Sequence, residues 1–458
     1  MEIVNRTVSD ILDKEYRDYA NYIISSRAIP SLSDGLKTGA RKIVHSAFHG
    51  SLKNGQQKKV PNLSGDTLNL TLYPHGTSSL DGTIVTLSQQ HKFNLNPLYI
   101  DSQNGTLRSD VSASPRYLYV QLSKYANLLK TDIELTEQIF DEGQYIEPRF
   151  FLPIIPLVLT SRQTGLAVGY KFENMSYNPI DVIDACIECL KSRKKSNKLD
   201  GFVLHPYIRG IKKKNWKFEE GRWVNYGECE YNDKKKEIII TDLPYDIEFS
   251  KFEKFLNKLL ERDDIHDWSN YSEGEDKIEY RINVKKGKFG SSLKGKDIKG
   301  KIIAKFKLRT VVPDDLLYVL DENKKILHFS HAKELIEYFV DFRLNKYNDR
   351  KDRLVKILED KYKKNSDLVK FIELVCKGKL KIRNRSKVDI KVDMDKYELP
   401  MELIRTPMSK VTIEERDELL KENEAIKKEL DYIKKTTIQK MYLNDLENLR
   451  KDLEKDFR

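Results

Sequence analysis

Cysteine is scarce in this sequence. Cys186, Cys189, Cys229 and Cys376 are the four in 458 residues, too few for a disulfide scaffold and suited to a reducing compartment. Cys186 and Cys189 form a CxxC, but no second pair and no nearby histidine pair completes a zinc site. Val182, Ile183, Cys186, Ile187 and Leu190 repeat at helical spacing, so both thiols are expected in a helix facing the core. Long apolar runs are also missing. The longest, residues 150–160, contains Pro153 and Pro156 and falls short of the ~18 residues of a membrane span. The N-terminus is charged and lacks the apolar stretch of a secretion signal, so a soluble, cytoplasmic chain is expected, with no membrane partner. There is no GxxxxGKS/T loop, no GxGxxG and no HExxH, which argues against ATP in a standard phosphate cradle and against a metal held here. The eight histidines are scattered; His45 and His49 share a helix face without a third ligand.

What is present reads as globular. Hydrophobic residues make up 39%, enough for sizeable cores. Lys+Arg outnumber Asp+Glu by 82 to 71, a net charge of +11 that suits a polyanion but is spread along the chain. A first helix is expected over about Ser9–Ser26, with Ile11, Leu12, Tyr19, Tyr22 and Ile23 on one face, and a second over about Gly39–Gly50, basic at its start. Strand-like segments appear at 237–243 and 279–284 among lysine clusters at 212–214, 234–236 and 285–301, which read either as solvated surface or as a track for a DNA backbone. From about Ala332 a charged helix is expected to Lys364, then an irregular segment including 377–391. A last helix opens on the capping box Thr412-Ile-Glu-Glu415, with Leu419, Ile426 and Ile433 seven apart. Two antiparallel helices with a compact insert at the far end follow from this layout, as a structural arm or a dimerisation device.

Five short motifs occur in order: Arg27-Ala-Ile-Pro leading to Asp34-Gly-Leu-Lys37 and a basic helix; Tyr73-Pro-His-Gly76; Ser114-Pro-Arg-Tyr117; Thr164-Gly-Leu-Ala-Val-Gly169; and Ile240-Thr-Asp-Leu-Pro-Tyr245. Singly each is weak. Together, in this order and spacing, they resemble the DNA-cleaving, gyrase A-like subunit of type IIA DNA topoisomerases, over essentially the whole chain. Within that family the layout most resembles the medium subunit of tailed-bacteriophage enzymes. The resemblance implies an α+β multidomain fold: an N-terminal helical arm contacting a partner subunit (1–30), a winged-helix DNA-cleavage domain (31–150), a mixed α/β tower domain (151–330), and a long antiparallel coiled-coil hairpin (331–458) with a small helical dimer gate at about 367–410.

The resemblance also assigns roles. Tyr117 is expected as the nucleophile that joins a DNA strand end, with Arg116 beside it for the charge that builds on phosphate and Arg27 and His75 near the scissile bond. Taken alone, Tyr117 reads as a packed aromatic. Lys37, Arg41 and Lys42 are expected on backbone phosphates; taken alone, Arg41 and Lys42 read as a solvated helix face. The helix after His75, with Ser78, is expected in a groove of DNA. Leu166 falls where the family wedges an apolar side chain between base pairs, against the alternative of a core leucine. Four departures stand out: Tyr73 where bacterial relatives have histidine, the lack of a further histidine near Ala40, Ser33 in place of a basic residue, and a shortened Asp101-Ser-Gln-Asn-Gly105 loop. The expected activity is that of an ATP-dependent type II topoisomerase making a transient 5'-phosphotyrosyl double-strand break for relaxation and decatenation. Its expected partners are double-stranded DNA, a second copy of the chain, and an ATPase subunit that also holds Mg²⁺. No DNA-wrapping β domain follows the hairpin, so active negative supercoiling is not expected. The alternative is a DNA-binding structural protein that keeps the fold without cleavage.

Overall fold

The computed structural model describes residues 7–52, 55–192, 198–285, 287–295, 297–313, 316–382 and 385–457. Residues 1–6 of the expected arm, and Lys286 and Lys296 of the 285–301 lysine cluster, fall outside the described residues. Among the described residues no helix is long and apolar enough to cross a membrane. The chain forms two units, Met1–Asp341 with Leu446–Arg458, and Phe342–Asp445.

In the larger unit, helices Thr38–Ser46, Val60–Thr71 and Thr77–Ser88 share one apolar core with a three-stranded antiparallel sheet. The middle strand is Tyr119–Leu122, and Val120 lies opposite both Lys58 and Ile100 of its neighbours. Side chains alternate across a strand, and here Leu118 and Val120 go inward while Tyr117 and Tyr119 face out. Pro61, in the first turn of the second helix, sits where a backbone N–H would have no helical partner, and Leu72 at φ 48° turns the chain out of that helix.

The segments read as strands form the centre of a four-stranded antiparallel sheet. Glu237–Asp242 pairs with Tyr280–Asn283, placing Ile238 opposite Ile282 and Ile240 opposite Tyr280. Glu228–Asn232 and Asp267–Asn270 form its edges, and helices Phe249–Glu261 and Ile298–Lys305 share its core. Cys186 and Cys189 are buried on helix Pro179–Lys191, as their spacing implied, and burial pushes the Cys186 thiol well up.

The N-terminal helical run covers Val8–Asp10, Ile11–Tyr16, Arg17–Ile23 and Ile24–Ala28. Its predicted apolar face is not a core face. Ile11, Leu12, Tyr19 and Tyr22 are exposed, and the buried residues are Ala20, Ile24 and Ala28. The chain after it is stitched to the hairpin Leu317–Leu320/Ile326–Phe329, where Leu32 N–H donates to Leu320 O at 2.8 Å and Leu320 N–H donates to Pro30 O at 2.9 Å.

The long helix Ala332–Cys376 runs past the predicted Lys364, because no breaker intervenes before Gly378, which takes φ 70°. Beyond it a small core of Phe371, Ile372, Leu380, Ile390, Met394 and Leu399 forms around helix Lys387–Lys396, within the stretch read as irregular. The return helix starts where the capping box placed it, with the Thr412 hydroxyl accepting from Glu415 N–H at 3.2 Å. In the smaller unit the two arms are antiparallel: Lys351 meets Thr436, Glu359 meets Lys434, and Ser366 meets Asn423.

The return is two helices, Ile413–Lys435 and Ile438–Phe457. The break is chemical. Lys351 takes the carbonyls of Lys434 and Thr436 at 3.0 and 2.8 Å, and Thr437 caps the next helix by accepting from Lys440 N–H at 3.2 Å. The sequence grouped 331–458 together; from Leu446 the chain lies with the larger unit, where Arg450 pairs with Asp184 at 2.6 and 3.2 Å.

Candidate functional site

Asp34-Gly-Leu-Lys37 folds as a tight turn around one carboxylate. Asp34 is fully buried and accepts from Leu36 N–H at 2.9 Å, Phe151 N–H at 3.0 Å, and Arg41 Nε and Nη2 at 2.7 and 3.2 Å. Gly35 sits at φ 68°, and a Cβ there would collide with the backbone of Val158, so the turn admits no side chain. Burial removes the alternative of a solvated helix face at Arg41 and Lys42, which the resemblance places on backbone phosphates. Both are buried, Arg41 against Asp34 and Lys42 against Glu147 at 2.9 Å and Thr71 O at 2.6 Å. Burying a charge is costly unless it is paired, and each finds its counter-charge inside the fold. Within the protein their donors reach Asp34 and Leu36 O from Arg41, and Glu147 and Thr71 O from Lys42.

Lys37 keeps its place on a cleft. It donates to Thr164 O at 2.7 Å, and burial lowers its pKa from the ordinary lysine value. Thr164 opens the hairpin Thr164–Ala167/Tyr170–Glu173, whose Leu166 is 76% exposed, which removes the core-leucine alternative. A Cβ at Gly165 would collide with Ala28 O, so the hairpin packs directly on the backbone of the N-terminal run.

His75 lies in the short loop between helices Val60–Thr71 and Thr77–Ser88. The Arg27 guanidinium contacts both imidazole nitrogens, with Nη2 at 3.3 Å from Nδ1. The Tyr22 hydroxyl lies 3.1 Å from His75 Nε2, and Arg27 Cζ lies 5.6 Å from the Tyr22 ring centre. Tyr73 stands edge-on to His75 with centroids 5.4 Å apart, while its hydroxyl bonds Ser79 at 2.9 Å. Tyr22, Arg27, Lys37, Lys42, His75 and Ser78 line one open cleft of about 1740 Å³. Sequence reasoning missed Tyr22, which its helical spacing had assigned to an apolar face.

Tyr117 ends the turn Pro115–Tyr117, where its N–H donates to Ser114 O at 2.9 Å. Buried Leu118 and Val120 hold the following strand, so Tyr117 projects outward and is 65% exposed; it is not a packed aromatic. Arg116 Cζ lies 5.0 Å from its ring centre. Neither Arg116 nor Tyr117 lines the cleft that holds Arg27 and His75. The segment leading to Tyr117 is anchored at two places. Asp110 accepts from Gln89 at 2.9 Å and Lys92 at 2.6 Å, and Arg108, which is buried, donates to Asp242 and to the carbonyls of Leu243, Pro244 and Ile247. Arg108 also escaped the sequence reading; it gives the Ile240-Thr-Asp-Leu-Pro-Tyr245 motif its contact with the segment before Tyr117.

Among the described residues no cluster of three or more His, Cys, Asp or Glu could hold a metal ion.

The family model for the A-type subunit of DNA gyrase/topoisomerase IV matches residues 27–452. The chain belongs to this family. It is 30% identical to the mitochondrial DNA topoisomerase 2 of Dictyostelium discoideum over 98% of its own length and 35% of that protein. It is 28% identical to DNA topoisomerase 2 of Arabidopsis thaliana over 98% of its length and 33% of that protein. The chain thus spans about a third of the length of these relatives. In three dimensions it is similar to the DNA-binding, cleavage and re-ligation domain of Plasmodium falciparum topoisomerase II, with a TM-score of 0.82 at 22% identity, over 98% of this chain and 65% of that one. That likeness shows the fold, an α+β architecture with a helical C-terminal part.

Proposed function

We propose that the chain is the DNA cleavage and rejoining part of an ATP-dependent type II topoisomerase, with Tyr117 as nucleophile. The observation that carries the reading is the outward, rigidly based Tyr117 with Arg116 against its ring. The tyrosine oxygen attacks a backbone phosphorus, a bond forms between them, and the bond from phosphorus to the 3' deoxyribose oxygen breaks. That oxygen leaves with a proton as a free 3' hydroxyl, and the 5' phosphate stays on Tyr117. The reverse attack reseals the strand without fuel, because the phosphodiester is conserved as a phosphotyrosyl ester. Arg116 donates to the phosphate oxygens as charge builds. His75, held by Arg27 and Tyr22, is placed to move a proton or to bond phosphate.

Tyr117 does not line the Arg27–His75 cleft, which fits a site completed by a second copy, since a double-strand break takes two tyrosines. In this reading the Thr38–Leu122 region is a winged-helix domain whose helix Thr77–Ser88, with Ser78 at its exposed start, enters a groove of DNA. Lys37 serves the backbone phosphates, and Leu166 is the apolar wedge that bends the duplex. The sheet region up to about residue 330 is the tower, and the small helical core of the Phe342–Asp445 unit is the dimer gate. Mg²⁺ and ATP belong to a partner subunit, an arrangement like that of the tailed-bacteriophage enzymes, and no step above is routed through them.

The test mixes the chain with its ATPase partner, Mg²⁺, ATP and supercoiled DNA, then adds detergent and protease. Protein-linked linear DNA is expected with the natural chain and none with Tyr117→Phe. Equal linearisation by Tyr117→Phe would sink the assignment, and binding without cutting would favour the structural DNA-binding protein.

A further inference from the structure

Tyr22 and Arg27 are five residues apart. In an ordinary α-helix at 3.6 residues per turn, such residues point ~140° apart and do not share a face. Here they do, because the helix widens over Ile24–Ala28 and Ile29 N–H reaches back five residues to Ile24 O at 3.3 Å. The wide turn brings the Arg27 guanidinium over the Tyr22 ring and both onto one imidazole, that of His75. Such wide turns recur at functional sites because they re-aim side chains that a regular helix would separate.

The three side chains differ in what they can do. Arginine only donates, so a ring nitrogen facing it must accept. A phenol both donates and accepts, so Tyr22 can hold Nε2 whether or not that nitrogen carries a proton. Tyr73 cannot serve in its place: its hydroxyl is bound to Ser79, and it offers His75 a ring edge. The hydrogen-bond partners of His75 among the described residues are Tyr22 and Arg27. Tyr22 is 41% exposed, so packing does not explain its position.

We propose that Tyr22 is a positioning residue for His75, its phenol fixing the imidazole beside Arg27 while DNA is cut and rejoined. The inference rests on the reading of His75 as part of the cleavage site.

The test uses the chain with its metal-binding partner, Mg²⁺ and an end-labelled duplex, in single-turnover cleavage by four variants: Tyr22→Phe, His75→Ala, their double, and Tyr117→Phe. Tyr22→Phe keeps the ring under Arg27 and removes one hydrogen bond, so cleavage is expected to slow roughly three- to tenfold. Duplex affinity and the melting temperature should not move. In the His75→Ala background the same change should add nothing, since its effect passes through His75. An undiminished rate for Tyr22→Phe, or an equal loss in both backgrounds, overturns the proposal. If Tyr117→Phe cuts normally, the reading of the whole site falls and the proposal with it; if Tyr117→Phe is inactive and Tyr22→Phe is not slowed, the proposal alone falls. A second readout needs no activity. In the free chain the side-chain ¹⁵N signals of His75 should shift on Tyr22→Phe, and unmoved signals count against the contact.

Discussion

A buried carboxylate organises the residues around Arg27 and Lys37. Asp34 satisfies two backbone amides and one guanidinium at once, and it ties the first motif to Phe151. Removing it leaves Arg41 buried without its partner, so Asp34→Ala should cost about 3–5 kcal/mol in denaturant unfolding. A loss under about 1 kcal/mol would show that Arg41 finds water instead. One helical turn beyond Arg41, burial pushes the His45 imidazole down to about 4 from 6.5, with His49 and Lys42 adding repulsion. The unfolded chain then takes up the proton first. Stability from this site is full above pH ~6.5 and declines as pH falls toward 4, by up to about 3 kcal/mol. The melting temperature should drop over that window, and His45→Gln should lessen the drop; an identical drop in the variant removes His45 as its source. Sequence order singled out Asp34, Lys37 and His75, but not their partners. The burial of Lys42 was not legible, because its counter-charge, Glu147, lies 105 residues away.

At the level of elements, local chemistry was legible wherever a helix began on a capping side chain or a strand alternated. Thr412 and the Glu237–Asp242 pairing are examples. The division of the return helix was not legible, because it depends on Lys351 arriving from the other arm. Nor was the widened turn at Ile24–Ala28, which gives Tyr22 a partner that helical periodicity denies it. The Thr164–Glu173 hairpin shows what exposure adds. Leu166 stands clear of the protein while Phe172 on the paired strand is buried, so the hairpin is anchored at one end and free at its tip. Leu166→Ala should therefore leave the melting temperature unchanged and reduce duplex bending, read by energy transfer between dyes on the two DNA ends. Unaltered bending would remove the wedge role.

On the scale of the molecule, the two units carry different surfaces. In the smaller one, helix Lys387–Lys396 buries Ile390 and Met394 and presents Val388 and Val392, 72% and 64% exposed, on the other side. Residues four apart share a helix face, and two open valines there suit a self-complementary contact between copies. The dimer proposed above predicts that Val388→Glu with Val392→Glu lowers the mass of the free chain to that of a monomer in light scattering; an unchanged mass would remove these valines from the contact.

The two chain ends of the Phe342–Asp445 unit lie side by side within it. Tyr347 donates to Asp445 at 2.7 Å and stacks on Tyr442 with centroids 4.7 Å apart. As a polymer, the smaller unit is thus a long loop whose ends are already pinned together. Loop-closure entropy grows only slowly with length, ~0.6 kcal/mol per doubling. The arm's length is therefore nearly free of thermodynamic consequence for the rest of the chain. Helical turns removed in equal number from both strands would shorten its reach while leaving the larger unit's stability almost untouched.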